Sequence, residues 1–252
     1  MVFPLYDDNS DRTTTPFVNY ALIVINILVF VFLQQLGNND KFTYAFSTVP
    51  QEIVSGRDIR TPDRVVEHPV TGQELLLPGL QPTPISVYLT LIFSLFMHGG
   101  IAHIAGNMLF LWIFGDNVED RMGHVRYLIF YLVCGVLASL AHVFTTAMFA
   151  TDPASLLIPS LGASGAISGV LGGYIVLYPH RRVTAIVFRF VTDVPAYVAI
   201  GIWFAFQLIS GLGILGGGSQ GGVAYAAHIG GFAAGLVLVK VFTIGRAAGA
   251  NT

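Results

Sequence analysis

Residues 127–149, from Tyr127 to Phe149, read YLIFYLVCGVLASLAHVFTTAMF. None of these 23 residues is Lys, Arg, Asp or Glu. As a helix rising 1.5 Å per residue, the stretch is about 35 Å long, enough for a hydrocarbon core of ~30 Å. A charge-free run of this length is what a membrane-spanning helix requires, and it sets the fold class.

Working outward, five more apolar stretches interrupt the charged residues. They lie near Phe17–Gln34, Ile101–Gly115, Ser164–Tyr178, Val194–Ile214 and Val223–Ile244. Ile85–Met97 is also apolar but short, and His98-Gly99-Gly100 breaks it from the span that follows. It reads as interfacial or re-entrant ahead of a seventh span. The expectation is an all-α polytopic membrane protein with six transmembrane helices, one domain over residues 1–252.

Composition agrees. The chain has 252 residues, 54% apolar and 10% charged, against roughly 25% charged in soluble domains. Mean hydropathy is +0.71, the formal net charge is −2, and Cys134 is the one cysteine. A disordered chain, a basic nucleic-acid binder and a disulfide scaffold are excluded.

The basic residues give the orientation. With an even number of spans and both termini inside, the inner segments hold Arg12, Arg121, Arg126, Arg181, Arg182, Arg189, Lys240 and Arg246. The short outer loops, 150–161 and 215–222, hold none. The four remaining basic residues fall in the first outer loop, 36–100, where the rule weakens. Both termini are therefore expected to be cytoplasmic, with 245–252 as a short tail. The long first external loop reads as an irregular lobe on the membrane face. Asp7, Asp8 and Asp11 precede the first span without a basic leader, so that span is expected to be retained. A short N-terminal segment without transit-peptide composition leads to the expectation of a prokaryotic cytoplasmic (inner) membrane.

Polar residues inside spans are costly and mark function or helix contacts. His103 and Asn107, four apart, share one face of the second span. Ser164 opens the fourth and His228 lies early in the sixth. All three spans run inward, so the four residues fall within ~10 Å of depth in the outer part of the bilayer. Gly165, Gly169 and Gly173, with Gly231 and Gly235, form small-residue faces that let two helices approach closely. That approach brings a serine hydroxyl within reach of an imidazole base. Neither the fourth nor the sixth span holds an Asp or Glu, so the arrangement is a Ser–His dyad. Asn107, His103 and the Ser164 backbone N–H are the available oxyanion donors. Taken singly, each of these residues is equally at home packing helices.

The sequence MHGGIAHIAGN over Met97–Asn107 resembles the second helix of rhomboid intramembrane serine proteases. Gly162-Ala163-Ser164-Gly165 resembles their nucleophile motif, Ala227-His228-Ile229-Gly230-Gly231 their last-helix histidine motif, and Gly115–Gly123 their turn after the second span. The resemblance implies Ser164 as nucleophile, His228 as base and acid, and His103 and Asn107 assisting the oxyanion. It implies transmembrane protein substrates cut near the outer face of the lipid bilayer, no cofactor, and a fifth span that moves with the loop after it. The glycine-rich run Gly211–Gly222 gives that loop freedom. Some relatives carry a tyrosine one turn after the nucleophile, where this chain has Ser168; Tyr225 is the nearest candidate to support His228. His98 reads equally as a loop anchor or a site contact, Glu119 and Arg121 as ties for a turn, and His142 and Gln207 as having no part in the mechanism. His98 and His103 lack the glutamate of a zinc-protease motif, so no metal is expected. The rival functions are a catalytically inactive rhomboid-like helix-binding protein in membrane-protein quality control and a small transporter. The sequence does not indicate an oligomeric state.

Overall fold

In the computed structural model, described over residues 2–67, 74–187, 189–211 and 225–246, each of the six apolar stretches contains a helix. Strand β1, Val2–Asp7, precedes α1, Phe17–Leu28, which continues as a π-helical turn over Val29–Leu33. Two short helices follow, α2 (Asp40–Phe46) and α3 (Pro50–Ser55), then a hairpin of β2 (Arg64–Glu67) and β3 (Glu74–Leu77). Helical turns over Val87–Phe96, centred on α4 (Thr90–Phe93), meet α5 (Ile101–Met122) at an 80° bend. Helices α6 (His124–Phe149) and α7 (Ser164–Leu177) come next. After the hairpin of β4 (Arg182–Val187) and β5 (Phe190–Pro195) come α8 (Ala196–Gly211) and α9 (Tyr225–Phe242).

Three expectations are corrected. The chain is mostly helical but not all-α, because β1, β4 and β5 form an antiparallel sheet in the order β1-β4-β5. The described residues of 36–100 are not irregular throughout, since they hold α2, α3, the β2–β3 strands and the helical turns before α5. Asn39 caps α2 through a bond from the Phe42 N–H, and Pro50 opens α3 at a position where a missing N–H costs nothing. The stretch Gly115–Gly123 is no turn either: α5 runs on to Met122 and ends at Gly123, whose φ of +78° suits glycine. The polar residues of that last stretch have partners. Glu119 accepts the N–H groups of Val18 (2.9 Å) and Asn19 (2.6 Å) and so caps α1, while Asp116 pairs with Arg12 at 2.5 Å.

Helices α6 and α9 are long and apolar enough to cross a membrane, as is α5 when joined to Val87–Phe96. Of the other apolar helices, α7 has 14 residues, about 21 Å, and the described part of α8 has 16. Helix α7 is the hub, packed by α5, α6 and α9. A Cβ on Gly231 would lie 2.1 Å from the Gly165 carbonyl oxygen, and one on Gly235 2.0 Å from that of Gly169. The α7 and α9 backbones therefore touch, on the glycines whose spacing foretold it.

The sheet occupies the end of the bundle away from Ser164. Strand β1 packs on α5 and α8, and Pro4 lines a small cavity there with Phe110 and Phe114 of α5 and Ala199, Ile200 and Trp203 of α8. Asp7 is buried there, accepting bonds from Tyr174 Oη (2.5 Å) and Asn117 Nδ2 (2.8 Å). Burial pushes its carboxyl up to about 7.

Candidate active site

Ser164 is the first residue of α7 and His228 lies one turn into α9. Because the glycine pairs let these helices touch, Ser164 Oγ lies 2.8 Å from His228 Nε2. The other ring nitrogen, Nδ1, is 2.7 Å from Gln207 Oε1 on α8. An amide oxygen only accepts, so the proton sits on Nδ1 and Nε2 presents its lone pair to the serine hydroxyl. From the sequence, Gln207 has no part in the mechanism and Tyr225 is the candidate to support His228. The Tyr225 ring is 6.5 Å from the imidazole and nearly perpendicular to it, and Trp203, one turn before Gln207, is 6.1 Å away.

His103 and Asn107 come in from α5. The Gly99 N–H donates to His103 Nδ1 at 3.2 Å, and the far edge of the ring covers Gly162. A Cβ at residue 162 would meet His103 Cε1 at 2.9 Å, and φ there is +119°, so only glycine fits. Asn107 is buried, and its Nδ2 has no hydrogen-bond partner among the described residues. His98 is a loop anchor through its backbone: Gln34 accepts its N–H at 2.8 Å and donates to its carbonyl at 3.0 Å. Its ring packs edge-on to His103, centroids 5.2 Å apart.

A hydroxyl bonded to an unprotonated imidazole nitrogen can be deprotonated as it attacks a carbonyl. The pattern of the Rhomboid domain matches residues 86–244, more than half of the chain. This chain belongs to the rhomboid family. The mitochondrial Rhomboid protein 1 of Saccharomyces cerevisiae is 31% identical over 159 residues, 63% of this chain and 43% of that protein. Rhomboid protease GluP of Bacillus subtilis is 36% identical over 138 residues, 54% of this chain and 25% of its own. The mitochondrial presenilin-associated rhomboid-like protein A of Danio rerio is 34% identical over 95 residues, 37% of this chain and 23% of its own. The chain spans less than half the length of each. As a rhomboid it is an integral membrane protein.

The rhomboid match takes in Ser164, His228, Gln207, His103 and Asn107 and leaves out β1, α1 and most of residues 36–100. That loop nonetheless reaches the site. Thr48 bonds Ser94 Oγ (2.9 Å) and pairs with Ser160, and the Ser94 carbonyl accepts the Gly162 N–H at 2.9 Å. Beside Ser164 lies a cavity of about 20 Å³ lined by Ser94, Ser139, Ser160 and Gly162. The glycine-rich loop expected to move lies, beyond Gly211, outside the described residues.

Proposed function

We propose that this rhomboid is an intramembrane serine endopeptidase that cuts transmembrane helices of membrane-protein substrates near the outer face. Ser164 is the nucleophile and His228 the general base and acid. The observation that carries this reading is the 2.8 Å approach of Ser164 Oγ to a ring nitrogen left free to accept its proton.

As Ser164 Oγ attacks the scissile carbonyl, its proton passes to His228 Nε2 and negative charge collects on the carbonyl oxygen. Donors for that oxygen are the unpartnered Asn107 Nδ2, His103, and the Ser164 N–H, one of the free donors of a helix N-terminus. His228 then returns the proton to the leaving amine, which leaves an acyl-Ser164. The cavity beside Ser164 has room for one water, with Ser94, Ser139 and Ser160 among the residues lining it beside Leu95, Leu161 and Ala227, and lies next to the ester that must be hydrolysed. An intact substrate helix bonds its own carbonyls, so helix-breaking residues near the cut favour attack.

The topology that fits is six spans with both termini cytoplasmic, which sets the Ser164 end of the bundle toward the outer face. The short α7 supports a submerged site, since a helix of about 21 Å leaves at least one of its ends inside a hydrocarbon core of ~30 Å, and this reading takes that end to be Ser164. The sequence expectation of a prokaryotic inner membrane stands beside relatives that are both bacterial and mitochondrial.

The test is reconstitution with a helical membrane substrate. Wild type is expected to cleave, and Ser164→Ala and His228→Ala to lose cleavage. Cleavage that survives either substitution overturns the dyad. A wild-type protein that neither cleaves nor takes a fluorophosphonate on Ser164 is the inactive helix-binding protein instead.

A further inference from the structure

Gln207 is the only side-chain amide on α8, a mostly apolar helix, and it is 7% exposed. A buried amide costs free energy unless its polar atoms are bonded, and here Oε1 faces His228 Nδ1 at 2.7 Å. A free neutral imidazole divides between two tautomers, and only the one protonated on Nδ1 offers Nε2 to a serine.

The geometry points to Gln207 as a positioning residue. By accepting the Nδ1–H it holds His228 in the tautomer that can take the Ser164 proton, and so makes the base competent only while α8 is seated against α9. This rests on the dyad reading above and adds a third helix to it. Each of α7, α9 and α8 then supplies one member of the chain Ser164, His228, Gln207. Helices α7, α8 and α9 carry no Asp or Glu that could serve instead. A neutral acceptor orients the ring without the desolvation cost of a buried carboxylate.

How α8 is held explains why this bond reports on its position. At the sheet end it is fixed through the Ala196 N–H to the Arg181 carbonyl (2.8 Å) and the Tyr197 N–H to the Pro179 carbonyl (3.0 Å). Nearer Gln207, Phe204 stacks on Phe232 of α9 at 4.2 Å, while Ile202, Phe206 and Ile209 are exposed. A shift of about 1 Å at Gln207 is enough to break a hydrogen bond of ordinary length. A departure of α8 from α9 therefore frees the imidazole to turn or to change tautomer, and the site rests.

Two near-isosteres test it in the full chain, reconstituted with a helical membrane substrate. Gln207→Met keeps the volume and removes the acceptor; Gln207→Glu keeps an acceptor. Expected for Gln207→Met is a fall in kcat of about 10- to 100-fold, part of the roughly 10²–10⁴ that acid–base assistance supplies, with KM within about twofold. Fluorophosphonate labelling of Ser164 slows in parallel. Gln207→Glu is expected to restore both. Gln207→Leu, a second variant without an acceptor, should repeat the Met result and serves if that protein does not fold. The proposal is overturned if a folded Met or Leu variant keeps wild-type kcat and labelling. It is also overturned if the Glu variant fails to rescue while its melting temperature matches wild type. Ser164→Ala separates the two ideas: cleavage by Ser164→Ala overturns the dyad, whereas an inactive Ser164→Ala beside a fully active Gln207→Met overturns only the role of Gln207.

Discussion

Asn107 shows what a single residue contributes. An amide donor buried without a partner carries a cost of about 1–3 kcal/mol, and the oxyanion proposed above is the acceptor that would relieve it. Asn107→Ala is therefore expected to lower kcat by about 10²–10³ with little change in KM, read from steady-state cleavage of a membrane substrate. Of the site's residues, Asn107, His103, Ser164 and His228 could be picked out from the sequence. They are polar groups in apolar spans, and helical spacing with a common depth groups them. Gln207 could not. It is a lone neutral residue, and its partner lies 21 positions away on another helix. Which of its faces α8 turns toward α9 is decided by packing such as Phe204 on Phe232, and no periodicity records that.

Among the elements, the α7–α9 pair follows most directly from the residues that build it. Gly231 and Gly235 rest on the carbonyls of Gly165 and Gly169, so a single methyl forces the two backbones apart. Gly235→Ala is expected to destabilise the protein by roughly 1–3 kcal/mol, seen as a lower melting temperature in detergent, and to cost activity by parting Ser164 from His228. The glycine spacing was legible in advance; the sheet was not. Val183-Thr184-Ala185-Ile186-Val187 is rich in β-branched residues, which favours a strand, but the stretch is short and lies between Arg181, Arg182 and Arg189, which read as markers of membrane side. The pairing of β1 with β4 joins segments about 180 residues apart and leaves no local signal. The course of α5 beyond Gly115 was hidden for a related reason. Asp116, Asn117 and Glu119 read as a polar turn until the N-terminal segment supplies their partners.

For the whole molecule, β1 ties the N-terminal segment to α5, α7 and α8, and Asp7 is a buried titratable group within that tie. Its carboxyl, at about 7 when folded against 3.8 ordinarily, keeps in the native state a proton that the unfolded chain has released. The associated stability is complete below about pH 4 and is lost as pH rises through 7. Melting temperatures between pH 4 and pH 8 are therefore expected to fall for wild type relative to Asp7→Asn, and a constant difference between the two would refute the assignment. A last consequence lies in the short helices. With α1 and its π-helical turn, Phe17–Leu33, about 26 Å long against a hydrocarbon core of ~30 Å, and Val24, Ile25 and Leu28 exposed along it, lipid on that flank of the bundle must thin or tilt its chains to avoid hydrophobic mismatch. A partner helix of ordinary length arriving there would keep its full apolar length while the bilayer around it shrinks. Its uppermost turn would be pushed into the headgroups, where water competes for its backbone bonds before any residue of this protein has touched it.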